Sequence, residues 1–184
     1  LPHLSENDLT TLHCGRLSAG GKLAIIGAGT GLGGSTLALT GEKPVACASE
    51  PGHMGLAAAT EVELELFRYL LQNNSEVYAE LLLSGPGLQR LYQALADIRG
   101  QKAPPLAPEG ISARALAEQC ELCTLSLNTF CALLGSIGGD YILANGAYGG
   151  LYLAGGFLPE MVPFLKKSTF VERVQSKGKM HDHL

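Results

Sequence analysis

The stretch Gly27-Ala28-Gly29-Thr30-Gly31-Leu32-Gly33-Gly34 stands between two apolar runs, Leu23-Ala24-Ile25-Ile26 before it and Ser35-Thr36-Leu37-Ala38-Leu39-Thr40 after it. Gly41 closes the second run. Glycine permits positive φ and lets a ligand come close to the main chain. Successive amides that point inward make a nest for an anion such as phosphate. Gly29, Gly31 and Gly34 satisfy G-x-G-x-x-G, but a dinucleotide site needs a helix directly after the turn, its N-terminus holding the pyrophosphate. The Thr- and Leu-rich run that follows is cut short by glycine and reads as the second arm of a β-hairpin. No Lys-[Ser/Thr] follows the glycines, so a P-loop is excluded. Two readings stay open: a phosphate-binding hairpin, and a tight turn that is glycine-rich only for geometry.

Outward from the hairpin, Pro44-Val45-Ala46-Cys47-Ala48 reads as a third strand. Thr60-Glu61-Val62-Glu63 matches a capping box, in which Thr60 and Glu63 satisfy each other's backbone amides. Val62, Leu66, Tyr69 and Leu70 then share one helix face. Gly85-Pro86-Gly87 is read as a stop, followed by a helix from Leu88 to Ile98 that Gly100 ends. Lys102 to Gly110, with its three prolines, reads as a surface loop. Ser112 is the expected N-cap of a helix over 113–121, and a second helical run covers about 122–145. Leu151-Tyr152-Leu153-Ala154 reads as a short buried strand ended by Gly155-Gly156. Pro159 starts another helix, and Phe170 to Gln175 forms the last one, stopped at Gly178. Strands first, then helices, one strand and further helices make an α/β domain with a partly antiparallel sheet.

The bulk numbers narrow the function classes. The chain has 184 residues, 46% hydrophobic and 16% charged, which suits one domain with its own core and argues against disorder. A net charge of −4 gives no basic footprint for nucleic acid. No apolar run approaches the roughly 20 residues that span a bilayer. Five cysteines, an odd number without dense spacing, point to a reducing cytoplasm. Cys120 and Cys123 form a C-x-x-C, but no second pair or nearby histidines complete a zinc site. They fall inside a long helical pattern and read as small residues on one helix face.

Ser49-Glu50-Pro51-Gly52-His53 is the second polar feature. Proline forces Glu50 out of the helical region, and Pro-Gly favours a type II turn. Such a turn can bring a carboxylate and an imidazole to one side, a set suited to a ligand rich in hydroxyls; the alternative is a solvated surface turn. Glu80 stands before three leucines and is either the solvent face of a helix or a partly buried functional group. Gly155-Gly156 either lets a flat ring lie on bare backbone or is a helix-entry turn. The histidines of Met180-His181-Asp182-His183 belong to an expected frayed terminus.

Taken together, Ile26-Gly27-Ala28-Gly29-Thr30-Gly31-Leu32-Gly33, Glu50-Pro51-Gly52-His53, Leu83-Ser84-Gly85-Pro86-Gly87-Leu88 and Leu153-Ala154-Gly155-Gly156-Phe157-Leu158-Pro159 resemble bacterial-type glucokinases, of the sugar-kinase, Hsp70 and actin superfamily. The resemblance covers nearly the whole chain. It implies an actin-like ATPase (ribonuclease H-like) fold, with a mixed sheet and flanking helices. It implies ATP-dependent phosphorylation of glucose to glucose 6-phosphate in the cytoplasm, with ATP and Mg²⁺ as cofactors, no nucleic-acid or membrane partner, and a homodimer left open. Gly29, Thr30 and Gly31 match the motif that embraces the ATP phosphates. Glu50, His53 and Glu80 match sugar ligands, and Gly155 and Gly156 the adenosine motif. Family members also carry a smaller domain with an Asp-x-Gly-Gly-Thr loop, and an Asn-Asp pair whose Asp is the catalytic base. Asn7-Asp8 sits too late to match that pair. Residues 1–184 are therefore expected to be the large domain alone, without the extreme C-terminus and inactive by itself. A non-catalytic sugar sensor on the same fold is the competing expectation, and a helix over 35–45 would favour an oxidoreductase instead. The nucleotide cradle and the Glu50–His53 pocket are expected to open onto one cleft.

Overall fold

Short apolar runs separated by glycine turns fold here into a four-stranded sheet in the order β3-β2-β1-β4. The computed structural model describes residues 4–15, 21–39 and 43–184. Gly41, read as the end of the second apolar run, lies outside the described residues. Strands β1 (Leu23–Ala28) and β2 (Leu32–Ala38) form the expected hairpin, with Ala28 opposite Leu32 at its tip and Leu23 opposite Leu37 at its base. β3 (Val45–Ser49) pairs antiparallel with β2. β4 (Leu151–Ala154) lies parallel to β1, with Ile26 opposite Leu153. A parallel neighbour needs a long crossover, and all the intervening helices supply it. The segment after the glycines is strand, so the oxidoreductase reading falls.

Seven α-helices surround the sheet among the described residues: α1 (Glu61–Leu70), α2 (Ala79–Leu82), α3 (Gly85–Ile98), α4 (Pro108–Leu116), α5 (Glu121–Asn145), α6 (Val162–Leu165) and α7 (Phe170–Gln175). Thr60 caps α1 by accepting the Glu63 N–H at 3.2 Å. The reciprocal half of the capping box does not form. The Glu63 carboxylate instead takes the Ala59 N–H at 2.7 Å and pairs with Arg173 of α7. Two helices start earlier than expected. Gly85-Pro86-Gly87 is the first turn of α3, capped by Ser84, whose Oγ accepts the Gly87 N–H at 3.0 Å. Pro108 opens α4, and Ser112 lies inside that helix, its hydroxyl donating to Pro108 O and Glu109 O. In both cases a proline read as a breaker occupies the first turn, where its missing N–H costs nothing.

The core is built on α5, which runs for 25 residues and packs against β1, α2, α3, α4 and α7. Leu127, Phe130, Leu133 and Leu134 are fully buried, and Tyr141 is 2% exposed. Gly135 and Gly139 let α7 come close, since a Cβ at either would collide with the carbonyl of Phe170 or Val174. By length and composition α5 could cross a bilayer, against the sequence expectation, but 83% of its most apolar window is buried inside the domain. That pattern marks a core helix. The last helix ends at Gln175 as expected, but Ser176 and not Gly178 caps it, and Gly178, at φ +57°, opens the 3-10 turn Gly178–His183 where fraying was expected.

Candidate functional site

The tip of the β1–β2 hairpin, residues Gly29-Thr30-Gly31, is held from below. Gly29 O accepts the Gly85 N–H at 2.8 Å, tying the tip to the first turn of α3. Ser84 makes this anchor rigid, since its hydroxyl also donates to Glu80 O at 3.0 Å. The hairpin glycines do not earn their place through φ. None of them appears among the positive-φ residues, which are Gly100, Gly146, Gly150, Gly155 and Gly178 together with Glu118. Close approach explains Gly31, where a Cβ would lie 2.5 Å from Glu80 Oε2. A Cβ at Gly29 or Gly33 would meet nothing within 4 Å. Those two glycines leave open space over bare backbone, which is what an incoming ligand needs.

A second chain crossing brings the acidic segment to the hairpin. Ala79 N–H donates to Met54 O at 2.9 Å and Leu56 N–H to Val77 O at 3.0 Å, so residues 54–56 run beside residues 77–79. That seam sets the turn Pro51–His53 next to α2 and Glu80. Ser49 fixes the start of the turn by sharing a hydrogen bond with the Tyr141 hydroxyl of α5. The turn is of the 3-10 type, not type II: Gly52 has no positive φ. Gly52 is required for space, because a Cβ there would collide with Leu32 O and lie 3.3 Å from Glu80 Oε2.

Glu80 is the point where these pieces meet. Its side chain, half-buried on α2, accepts the Leu32 N–H at Oε2 at 2.8 Å. It is thus neither free in water nor on a solvated helix face. A shallow open cleft of about 380 Å³ is lined by Gly29, Thr30, Gly31, Glu50, Glu80 and Gly155, with Gly27, Ala28, Leu32 and Gly33 around them. Thr30 and Glu50 are both exposed and share it.

Not every expected residue is brought in. His53 is exposed and stacks on Tyr78, ring centroids 5.8 Å apart and 7° from parallel, and it is not among the residues that line the cleft. Gly156 is exposed beyond the end of β4 and is not among them either. Gly155 does line the cleft, but its own backbone explains it: φ is +128°, and a Cβ would collide with Ala28 O. Asp8, at the end of the 3-10 turn Glu6–Asp8, spends its carboxylate on Ser5 N–H and Ser5 Oγ at 2.8 and 2.7 Å. Those bonds lower its pKa. Sequence reasoning assigned no role to Gly33, Leu32 or Ser84. The signal for Ser84 was present, since serine before a Gly-Pro pair is a helix start.

The residues present do not form a cage for a divalent cation. The described residues hold no group of three or more His, Cys, Asp or Glu side chains placed for one metal ion. An ion at this cleft would have to arrive on the phosphates of a nucleotide, the usual way Mg²⁺ is held.

Comparison with known proteins matches this arrangement. The family model described as Glucokinase matches residues 1–184. A glucokinase of Saccharophagus degradans is 41% identical over 181 residues, covering 98% of this chain and 56% of that protein. The crystal structure of a glucokinase from an Antarctic psychrotroph superposes with a TM-score of 0.91 at 39% identity, over 99% of this chain and 56% of its own. A ROK family glucokinase from Streptomyces griseus, solved with glucose and AMPPNP, shares the fold at a TM-score of 0.59 and 18% identity, over 85% of this chain and 52% of its own. This chain spans about half the length of the relatives it matches. The mixed sheet with flanking helices is accordingly the actin-like fold of the sugar kinases, and the chain belongs to the glucokinase family.

Proposed function

We propose that residues 1–184 are the large domain of a two-domain sugar kinase, and that the protein carrying them transfers the γ-phosphoryl group of ATP to the 6-hydroxyl of glucose. The observation that carries this reading is the shared cleft: Glu50 and Glu80 line the same opening as the hairpin Gly29-Thr30-Gly31. A phosphate acceptor and a phosphate donor must meet in one place, because phosphoryl transfer depends chiefly on positioning and on spreading charge. The ROK relative solved with glucose and AMPPNP supports the same pairing of ligands.

Each residue has a role in this reading. Carboxylates accept hydrogen bonds from hydroxyls, so Glu50 and Glu80 orient the sugar. His53, stacked on Tyr78 at the far end of the turn and outside the open cleft, is assigned to that set by the family resemblance alone. Thr30 Oγ and the amides of Gly29 and Gly31 hold phosphate oxygens where negative charge develops. Gly155 and Gly156 receive the adenosine on unadorned backbone. The base that accepts the hydroxyl proton is an aspartate outside these residues. Mg²⁺, arriving with the nucleotide, supplies neutralisation of phosphate charge. We assign the protein to the cytoplasm, a reducing compartment in which the five free thiols would persist.

The test is glucose-dependent ADP formation by the full-length protein. Turnover with glucose and ATP is the expected result. Glucose binding without any ADP release would establish the sugar-sensing alternative and overturn the kinase.

A further inference from the structure

The C-x-x-C pair does not lie in the middle of a helix, as its sequence pattern suggested. Cys120 is the N-cap of α5, and its Sγ accepts the Cys123 N–H at 3.3 Å. α4 ends at Leu116, and a tight turn through Glu118, at φ +55°, presents Cys120 at the head of the next helix. Cys120 is partly exposed there, while Cys123 lies directly beneath it with no exposed surface. The Cys120 sulfur thus sits over the first turn of α5, the turn that carries Cys123 three residues on. This is the arrangement in which an outer thiolate attacks and an inner thiol resolves.

We propose that Cys120 and Cys123 form an oxidisable dithiol, in which Cys120 attacks a peroxide and Cys123 closes an intramolecular disulfide.

The surroundings divide the two roles. Burial works against ionising Cys120, but hydrogen bonds from Cys123 and Leu122 and the charge of Arg114 on α4 outweigh it and hold its thiol below the usual value. The positive end of a 25-residue helix favours the thiolate in the same sense. Burial, then the neighbouring Cys120, pushes the Cys123 thiol up. Burial raises the phenol of Tyr92 on α3, which is 3% exposed, and the charges of Cys123 and Cys120 add to that shift. Cys131 is buried and pushed up to about 12, which removes it as a competitor.

The chemistry balances with hydrogen peroxide as the only oxidant. The Cys120 thiolate attacks one peroxide oxygen. An S–O bond forms, the O–O bond breaks, and the departing hydroxide takes a proton to become water. The Cys123 sulfur then attacks the sulfenic sulfur. An S–S bond forms, the S–O bond breaks, and hydroxide leaves with the Cys123 proton as a second water. The two thiols lose two electrons and the peroxide is reduced to two waters. A dithiol reductant reverses the mark by exchange, as for transient disulfides in reducing compartments.

Glu121 stands between the two cysteines, which makes the test direct. The reduced full-length protein is treated with equimolar hydrogen peroxide, free thiols are alkylated, and the chain is cut at glutamates. Expected is a pair of peptides, ending at Glu121 and starting at Leu122, joined until a reductant separates them. Cys120→Ser should abolish the linked pair. Cys123→Ser should stop at a dimedone-reactive sulfenic acid on Cys120. If exposed Cys14 or Cys47 is oxidised while Cys120 and Cys123 are both recovered alkylated, the proposal fails. Should Cys123→Ser not fold, the wild-type map and Cys120→Ser decide the matter between them.

Discussion

Glu80 Oε2 accepts the backbone N–H of Leu32 at 2.8 Å, so one carboxylate joins α2 to the tip of the glycine hairpin. The same oxygen lies over Gly31 and Gly52, where no side chain intervenes. A group proposed to orient the sugar therefore also holds the loop proposed to hold phosphate. Hydrogen bonds to charged groups contribute about 1.5–3 kcal/mol, and each 1.4 kcal/mol is about tenfold in affinity. Glu80→Ala should weaken glucose and nucleotide binding together, each by about 10-fold or more. Calorimetric titration with each ligand in turn reads this. Loss of affinity for glucose alone would mean that the link to Leu32 carries no positioning role.

Glu50→Gln should separate what Glu80→Ala combines. Glu50 lines the cleft from the turn before Pro51, and among the described residues no side-chain hydrogen bond ties it to the hairpin, in contrast to Glu80. Removing its charge weakens hydroxyl recognition while the phosphate cradle stays intact. Glucose affinity should fall by about 10-fold, the value of one charged hydrogen bond, and nucleotide affinity should hold. Unchanged glucose affinity would remove Glu50 from the sugar site.

The hairpin glycines offer a paired comparison. Gly29→Ala places a methyl where nothing lies within 4 Å, whereas at Gly31 the new Cβ sits 2.5 Å from Glu80 Oε2. Gly29→Ala should leave the melting temperature unchanged and weaken nucleotide binding by intruding on the ligand's space. Gly31→Ala should displace the Glu80 carboxylate as well and lower both ligand affinities. Thermal melts alongside nucleotide titrations distinguish the two. Full nucleotide affinity in Gly29→Ala would show that the open backbone there is not a binding surface.

The hairpin was legible because two short apolar runs and a dense glycine turn leave the chain little else to form locally. The order of strands and helices followed from the same local signals. What stayed hidden depends on contacts distant in sequence. Gly52 reads as a type II turn residue until Leu32 O is found in the way. Pro86 reads as a stop and Pro108 as part of a surface loop, although each sits in a first helical turn. Cys120 and Cys123 read as packing residues because the helix boundary between α4 and α5 was placed too loosely to show that Cys120 is a cap. Glu50 and Glu80 each look like ordinary surface acids until the seam between residues 54–56 and 77–79 draws their segments together. Capping chemistry also misled: Glu63 fits a reciprocal box with Thr60, yet its carboxylate is taken by a partner 110 residues away.

That partner is Arg173, and the pair makes the sharpest stability prediction. Arg173 Nη1 and Nη2 donate to the two Glu63 carboxylate oxygens at 2.6 and 3.2 Å, and its Nε donates to Ser136 Oγ at 2.9 Å. Glu63 is 2% exposed and Arg173 8%, so α1, α5 and α7 are joined in a region with little water. Removing one partner from such a pair leaves a buried charge uncompensated, at a cost of about 3–5 kcal/mol. Arg173→Leu should therefore lower the melting temperature by about 6–20 °C, taking about 2–4 °C per kcal/mol for a domain of this size. Glu63→Leu combined with Arg173→Leu removes both charges and should recover part of that loss, though not all, because the Ala59 N–H also loses its acceptor. Melting curves of the wild type, the single variant and the double variant settle the point. A double variant less stable than Arg173→Leu alone would mean that the cost lies in lost packing and not in the stranded charge.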